Sequence, residues 1–304
     1  MEQCGNLYRR LYTDNEIGKL KIANSLWLDD EVNGQKINFK DRFLKNAAKD
    51  LYASIFSVNF SDKNTVSEMM VRWISENSNG TLTPKIEVDD NQIMSIINTI
   101  YFYDEWSELF IEDNTKEDKF YLENDDYVKC DFMHTDTSSE IVIGDGYKRS
   151  SLMLKGNGSM IFILPDENVS IKELLSSSQK IEEIFARGTG KSVLVSWSIP
   201  KFGYDSSLNL KDTLKSLGIN STSSDADFSG ICDISAYISD AIQGTHISIN
   251  EKGVEASAYT EIRILAGGIP TDKAEMNLNR PFIYGIAASN GTLLFVGICG
   301  NPEK

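Results

Sequence analysis

The sequence predicts an α+β fold, and three observations carry that prediction. An alternation of period two runs from Val254 to Ala266, the mark of a β-strand with one buried face. Ile93 to Tyr103 is a long, mostly apolar run with Asn98 and Thr99 as its polar members, the pattern of a central strand buried on both faces. Helix-period segments cluster among the strands instead of alternating with each of them, which argues against a βαβ series.

The elements follow in order. Met1 to Tyr12 is mildly helical, and Lys19 to Leu28 reads as a strand. Asn33-Gly34 signals a turn. Phe39 to Ala53 spaces Phe39, Phe43, Leu44, Ala47 and Leu51 as a helix does. Ile55, Val58 and Phe60 mark a strand. Asn64 to Asn77 is an amphipathic helix with Val66, Met69, Met70, Trp73 and Ile74 on one face, and Asn79-Gly80-Thr81 stops it.

After the apolar run, Lys119 to Lys155 reads as short strands around Asn124-Asp125 and Gly144-Asp145-Gly146. Ser159 to Leu164 is a strand stopped by Pro165, and Ser170 to Ala186 is a helix with Ser170 and Glu173 as a capping box. Val193 to Ser198 is a strand, Leu208 to Leu217 a helix ended by Gly218, and Ala241 to Asn250 a strand. Phe282 to Ile286 and Leu293 to Cys299 form a hairpin around Asn290-Gly291.

Composition narrows the function. The chain has 304 residues with 30 Lys+Arg against 45 Asp+Glu, a net charge of −15. Such a chain repels nucleic acid, anionic membranes and heparin-like polyanions, so no nucleic acid, membrane or polyanion cofactor is expected. Cys4, Cys130, Cys232 and Cys299 form no CxxC pair, which argues against zinc and for free thiols. No run reaches the roughly 18 apolar residues of a membrane helix. Met1 to Asp14 carries Arg9-Arg10 without the apolar segment of a signal peptide.

Catalytic patterns are missing too. Of the two histidines, His134 and His246, neither accompanies a GxSxG elbow. Gly188 to Ser192 falls short of a phosphate loop because position 185, where a glycine is needed, is Phe185. Acidic pairs such as Asp29-Asp30 and Asp89-Asp90 read as solvated turns. No enzyme, cofactor or metal is expected.

The stretch 251–279 has its own logic. Val254, Ala256, Ala258, Thr260, Ile262, Ile264 and Ala266 fall on one face, while Glu255, Ser257, Tyr259, Glu261 and Arg263 fall on the other. Leu265 is the apolar exception on the outer face, and Gly253 supplies a hinge. Gly267-Gly268-Ile269-Pro270 breaks the strand. The inner face is free of charge, and burying Ile262 and Ile264 is worth roughly 1.5–3 kcal/mol each. An ordinary ordered surface strand has the same period.

Several motifs occur together and in order. They are Asn98-Thr99-Ile100-Tyr101-Phe102 with Trp106 and Phe110; Asn79-Gly80-Thr81-Leu82; Ile199-Pro200-Lys201-Phe202; Ala226 to Gly230; and Pro281-Phe282 with Leu294-Phe295, Gly297 and Asn301-Pro302. With the 251–282 stretch, they resemble the serpins, inhibitors that insert a cleaved reactive-centre loop into their own sheet. The resemblance implies a single serpin-like domain over 1–304, with one large and two smaller β-sheets, packed helices and an exposed loop at about 251–279. It starts near Gly18, and the family's first helices find no counterpart, so an N-terminally incomplete form is expected.

The resemblance further implies a suicide-substrate inhibitor of a serine protease, extracellular and monomeric. A non-inhibitory serpin-fold carrier or remnant is the alternative. Glu251 matches the hinge Glu, and Trp106 and Asn98 match the region where the loop begins to insert. One departure stands at Gln243, where the family usually carries a His. The scissile bond lies about sixteen positions after the hinge Glu, at Gly267–Gly268, with Ala266 and Leu265 as alternatives for the residue before the cut. A residue with no side chain there fits elastase-like or subtilisin-like targets.

Overall fold

The computed structural model describes residues 2–89, 91–124, 126–156, 158–186, 190–219, 227–234, 242–254 and 272–303. Interleaved segments build two compact units. The first comprises Met1–Asn15, Lys19–Phe102 and Asp205–His246; the second comprises Glu16–Gly18, Tyr103–Tyr204 and Ile247–Lys304. Among the described residues, strands fall into three sheets of eight, seven and two strands, accompanied by helices. The fold is α+β, as expected.

In the first unit, Gly18–Asp29 pairs in parallel with Ala53–Val58, from Asn24↔Ala53 to Asp29↔Val58. Parallel neighbours need a crossover, and the helix Asp41–Asp50 supplies it. That helix buries Ala47 against Leu26 and Leu28. The helix Lys63–Asn77 begins at Asp62, whose carboxylate accepts the Thr65 N–H. Val66, Met70, Trp73 and Ile74 from it join Trp27, Phe60 and Leu82 in one core cluster. Asn79 and Gly80, at φ 54° and 82°, end the helix in the left-handed region.

Three sequence readings are corrected in this unit. Met69, assigned to the helix's buried face, is exposed because it lies a turn's edge away from the cluster. Asp29, read as part of a solvated turn, is buried. Its carboxylate accepts the N–H of Phe60 at 2.7 Å and of Glu31 at 3.2 Å, amides that otherwise lack an acceptor at the strand's end. The segment expected as a helix over 208–217 is helical only at Lys211–Ser216, preceded by a strand, Phe202–Asn209.

The second unit holds the eight-stranded sheet. Its order runs from Lys273–Asn277 through Lys191–Pro200, Tyr127–Gly144, Tyr147–Met153, Ser159–Pro165 and Phe282–Ala287 to Leu293–Cys299, with Lys116–Tyr121 paired to Tyr127–Gly144. The last two strands form the expected antiparallel hairpin. Phe120, Phe162, Trp197, Phe202 and Phe282 pack against one another with edge-on or tilted rings.

Two readings change here. Tyr127–Gly144 is a single strand of 18 residues where short strands were expected. The helix expected over 170–186 is two, Ile171–Leu174 and Ser178–Phe185. Ser177 caps the second by accepting the Lys180 N–H and so interrupts the first.

Met94–Glu105 and Ile242–Asn250 flank the short strand Gly253–Val254 in the order of the seven-stranded sheet. Met94–Glu105 is not buried on both faces as its apolar run predicted: Thr99 and Tyr101 are buried, but Ile96 is 59% exposed. In the order of the seven-stranded sheet these two strands are not adjacent, because Gly253–Val254 stands between them.

Candidate functional site

The second unit contains the ends of both strands and the short segment between them. After Asn250 the chain turns back at Glu251-Lys252. The Asn250 side chain holds this turn by accepting the N–H groups of Lys252 at 2.9 Å and Gly253 at 3.3 Å. Gly253–Val254 then runs antiparallel to the strand it has just left, with Ile249↔Val254 and Asn250↔Gly253. On its other side it pairs antiparallel with Glu105 and Asp104. Gly253–Val254 therefore has a strand on each side. Val254 is 2% exposed, which places the first inward residue of the alternation inside.

Close approach dictates glycine at 253. A Cβ there would collide with the Asp104 carbonyl oxygen and lie 2.7 Å from the Glu105 Cα. The backbone sits at φ +156°.

Trp106 clamps the turn. Its indole N–H donates to the Asn250 carbonyl at 2.9 Å, and its backbone N–H donates to the Lys252 carbonyl at 2.9 Å. The ring is 1% exposed and meets Phe110 edge-on, with centroids 5.9 Å apart. The Phe110 N–H donates to the Glu251 carbonyl at 3.1 Å. A core tryptophan with its polar tip satisfied thus also fixes the turn at Glu251-Lys252.

Glu251 is nearly buried and has two partners. Thr115 donates its hydroxyl at 2.8 Å, and the Lys201 ammonium lies 3.2 Å away, both on Oε1. Burial pushes its pKa up, but hydrogen bonds from the backbone and from Thr115 and Lys201 outweigh burial and hold it below the usual range.

A second acidic group escaped the sequence reading. Asp104 is 4% exposed, and its carboxylate accepts the N–H of Gly156 at 3.0 and 3.2 Å and of Glu105 at 2.9 Å. Burial pushes its carboxyl up to about 6 against the pull of those N–H groups. Glu105 pairs with Lys155 at 2.6 Å and accepts from the Tyr103 hydroxyl at 3.1 Å. The available signal was two carboxylates closing an apolar run directly before a tryptophan.

Asn98 belongs elsewhere. It lies in the first unit, exposed, with its amide donating to the Ala23 carbonyl at 3.3 Å and to Asn24 Oδ1 at 2.9 Å. Its contacts tie two strands of that unit together. Ala256, Ala258, Thr260, Ile262, Ile264, Leu265, Ala266, Gly267 and Gly268 lie outside the described residues. Among the described residues, no helix is long and apolar enough to cross a membrane.

A family profile described as Serpin (serine protease inhibitor) matches residues 1–302. The chain belongs to the serpin family. This serpin is 28% identical over 301 residues to alpha-1-antiproteinase 2 of Equus caballus, covering 96% of the chain and 69% of that protein. It is 29% identical over 297 residues to serine proteinase inhibitor 1 of Variola virus, covering 93% and 76%. Its fold matches a thermophilic serpin, tengpin, in the native state, with a TM-score of 0.83 and 31% identity over 96% of this chain and 76% of that one. Glu251, Gly253, Val254 and Trp106 therefore sit in a serpin framework.

Proposed function

We propose that this serpin traps a serine protease as a suicide substrate. The observation that carries the proposal is Gly253–Val254, paired on one side to Asp104–Glu105 and on the other to Ile249–Asn250. It is a strand begun between two strands, and the alternation from Val254 to Ala266 continues it in period two.

The chemistry belongs to the protease, and this chain acts as bait. The protease serine attacks the carbonyl carbon of Gly267, the Gly268 amine leaves with a proton, and Gly267 remains as the acyl ester. The freed segment then extends the strand already started at Gly253–Val254. Ala256, Ala258, Thr260, Ile262 and Ile264 follow Val254 inward, and ladder hydrogen bonds and apolar burial drive the insertion. The protease moves with the segment it is esterified to. The Glu251 and Trp106 contacts anchor the turn against that pull.

Elastase-like and subtilisin-like enzymes fit a glycine or alanine before the cut. The test is incubation with a panel of serine proteases, followed by denaturing electrophoresis and mass spectrometry. A complex stable to detergent, with a fragment starting at Gly268, supports the proposal. Cleavage without any complex rejects inhibition in favour of a non-inhibitory serpin. A new N-terminus at Ile264 rejects both the assigned bond and the target class.

A further inference from the structure

The register places Asp104 directly opposite Val254, and Val254 opposite Ile249. Residues paired directly across an antiparallel ladder share a face, with Cβ atoms about 4.5–5.5 Å apart. The first side chain that the hinge inserts is therefore an isopropyl group beside a carboxylate. Asp104 is 4% and Val254 2% exposed, so little water reaches the pair. Gly18 and Gly156 close over the same carboxylate: a Cβ on Gly18 would lie 3.5 Å from the Asp104 carboxyl carbon, and one on Gly156 2.5 Å from Oδ2.

We infer that Asp104 is a positioning residue that couples insertion of the hinge to uptake of a proton, so that insertion is favoured in mild acid and opposed at neutral pH. The inference rests on the insertion reading above. Its physical basis is desolvation. A charged carboxylate loses hydration when Val254 docks beside it, whereas a neutral one loses far less. Groups on every neighbouring element bear on the balance. Glu105 and Tyr103 lie on the same strand, and Lys155 comes from the turn that supplies Gly156. The hinge contributes only the uncharged Gly253 and Val254 at this register, and the 16–18 segment contributes the Gly18 backbone. Lys155 is itself paired with Glu105, so it offers Asp104 an incomplete counter-charge.

With Val254 docked, the Asp104 carboxyl titrates at about 6. With Val254 withdrawn, the carboxyl is rehydrated on that side and titrates lower, toward the ordinary aspartate value near 4, while Gly18 and Gly156 still cover it. The sign follows. The docked state binds the proton more tightly, so docking gains as pH falls through 6 and stops gaining below 4. Linkage sets the ceiling: full rehydration on withdrawal would make docking about fourfold more favourable at pH 5.5 than at pH 7.5 and about 25-fold at pH 4.5, and partial rehydration gives a smaller gain of the same sign.

The test uses Asp104→Asn, which keeps the size and an acceptor oxygen but cannot ionise. A subtilisin-like protease active from pH 5.5 to 7.5 is mixed with the intact serpin, and the ratio of detergent-stable complex to cleaved product is read. The share of intact molecules with Val254 docked at the moment of cleavage should rise toward pH 5.5, so wild type should gain complex there, and Asp104→Asn should give a high, pH-independent ratio. If the variant keeps the wild-type pH profile, the inference is overturned.

If no complex forms with either protein at any pH, the inhibitory reading fails, and a second measurement decides the role of Asp104 alone. The melting temperature of Asp104→Asn minus that of wild type should rise between pH 4 and 7 and level off above. A difference that stays constant overturns the inference without any protease. Val254→Thr, whose hydroxyl can donate to the carboxylate, should move the midpoint of that difference to lower pH.

Discussion

Replacing Val254 with Glu is the sharpest perturbation of the proposed inserting face. Val254 is 2% exposed, between Ile249 and Asp104. Docking now buries the isopropyl group, a gain of about 1.5 kcal/mol that the variant forfeits. The new carboxyl cannot remain charged beside Asp104, so it must take a proton to dock. At pH 7 that costs about 3.5 kcal/mol for a group whose solvated pKa is near 4.3. Together the loss is about 5 kcal/mol, a factor of several thousand in the docking equilibrium.

In the proposed mechanism insertion races hydrolysis of the acyl-enzyme, so Val254→Glu should turn the proposed inhibitor into a substrate. The assay is the ratio of detergent-stable complex to cleaved serpin. At pH 5 the protonation cost falls to about 1 kcal/mol, and part of the trapping should return. An unchanged ratio at pH 7 would refute the assignment of Val254 to a buried, inserting face.

Other contacts give further predictions. Trp106→Phe leaves the Asn250 carbonyl without its indole donor, and urea unfolding should show a loss of about 1–3 kcal/mol. Glu251→Ala should cost about 1–2 kcal/mol at neutral pH, because Thr115 loses its acceptor while the partly exposed Lys201 regains water. The Glu251 pKa is lowered by folding, so its contribution is present at neutral pH and fades as pH falls through the carboxylate range; the variant and wild type should converge in acid. Among the thiols, exposed Cys4 should react with a disulfide reagent in the native protein. Cys130, raised by burial to about 12, and buried Cys232 and Cys299 should react only on unfolding.

Local signals in the sequence were read correctly where neighbours in the chain decide the structure. The Asn79-Gly80 stop, the helix before it and the hairpin around Asn290-Gly291 are of this kind. The burial of Val254 was legible because a period of two with a charge-free face admits few alternatives. What stayed hidden depends on partners far along the chain. Glu251 meets Thr115 and Lys201, and Asp104 meets Gly156, none of them linked to it by any local pattern. Asp29 was read as part of a solvated turn, and Asp104 carried no reading at all. Each is buried because backbone N–H groups at a strand end needed an acceptor, which spacing does not reveal. The break at Ser177 was missed because a cap and a helix interior use the same residues there.

Amide hydrogen exchange on the intact and the loop-cleaved protein tests the central claim most directly. Peptides from Met94–Glu105 and from Ile242–Asn250 report the two strands that flank Gly253–Val254. If the cleaved segment inserts between them, both peptides should gain strong protection together after a single cut near Gly267, because each acquires a ladder partner along its length. If cleavage leaves the exchange of both strands unchanged, the segment does not insert, and the trapping account is contradicted.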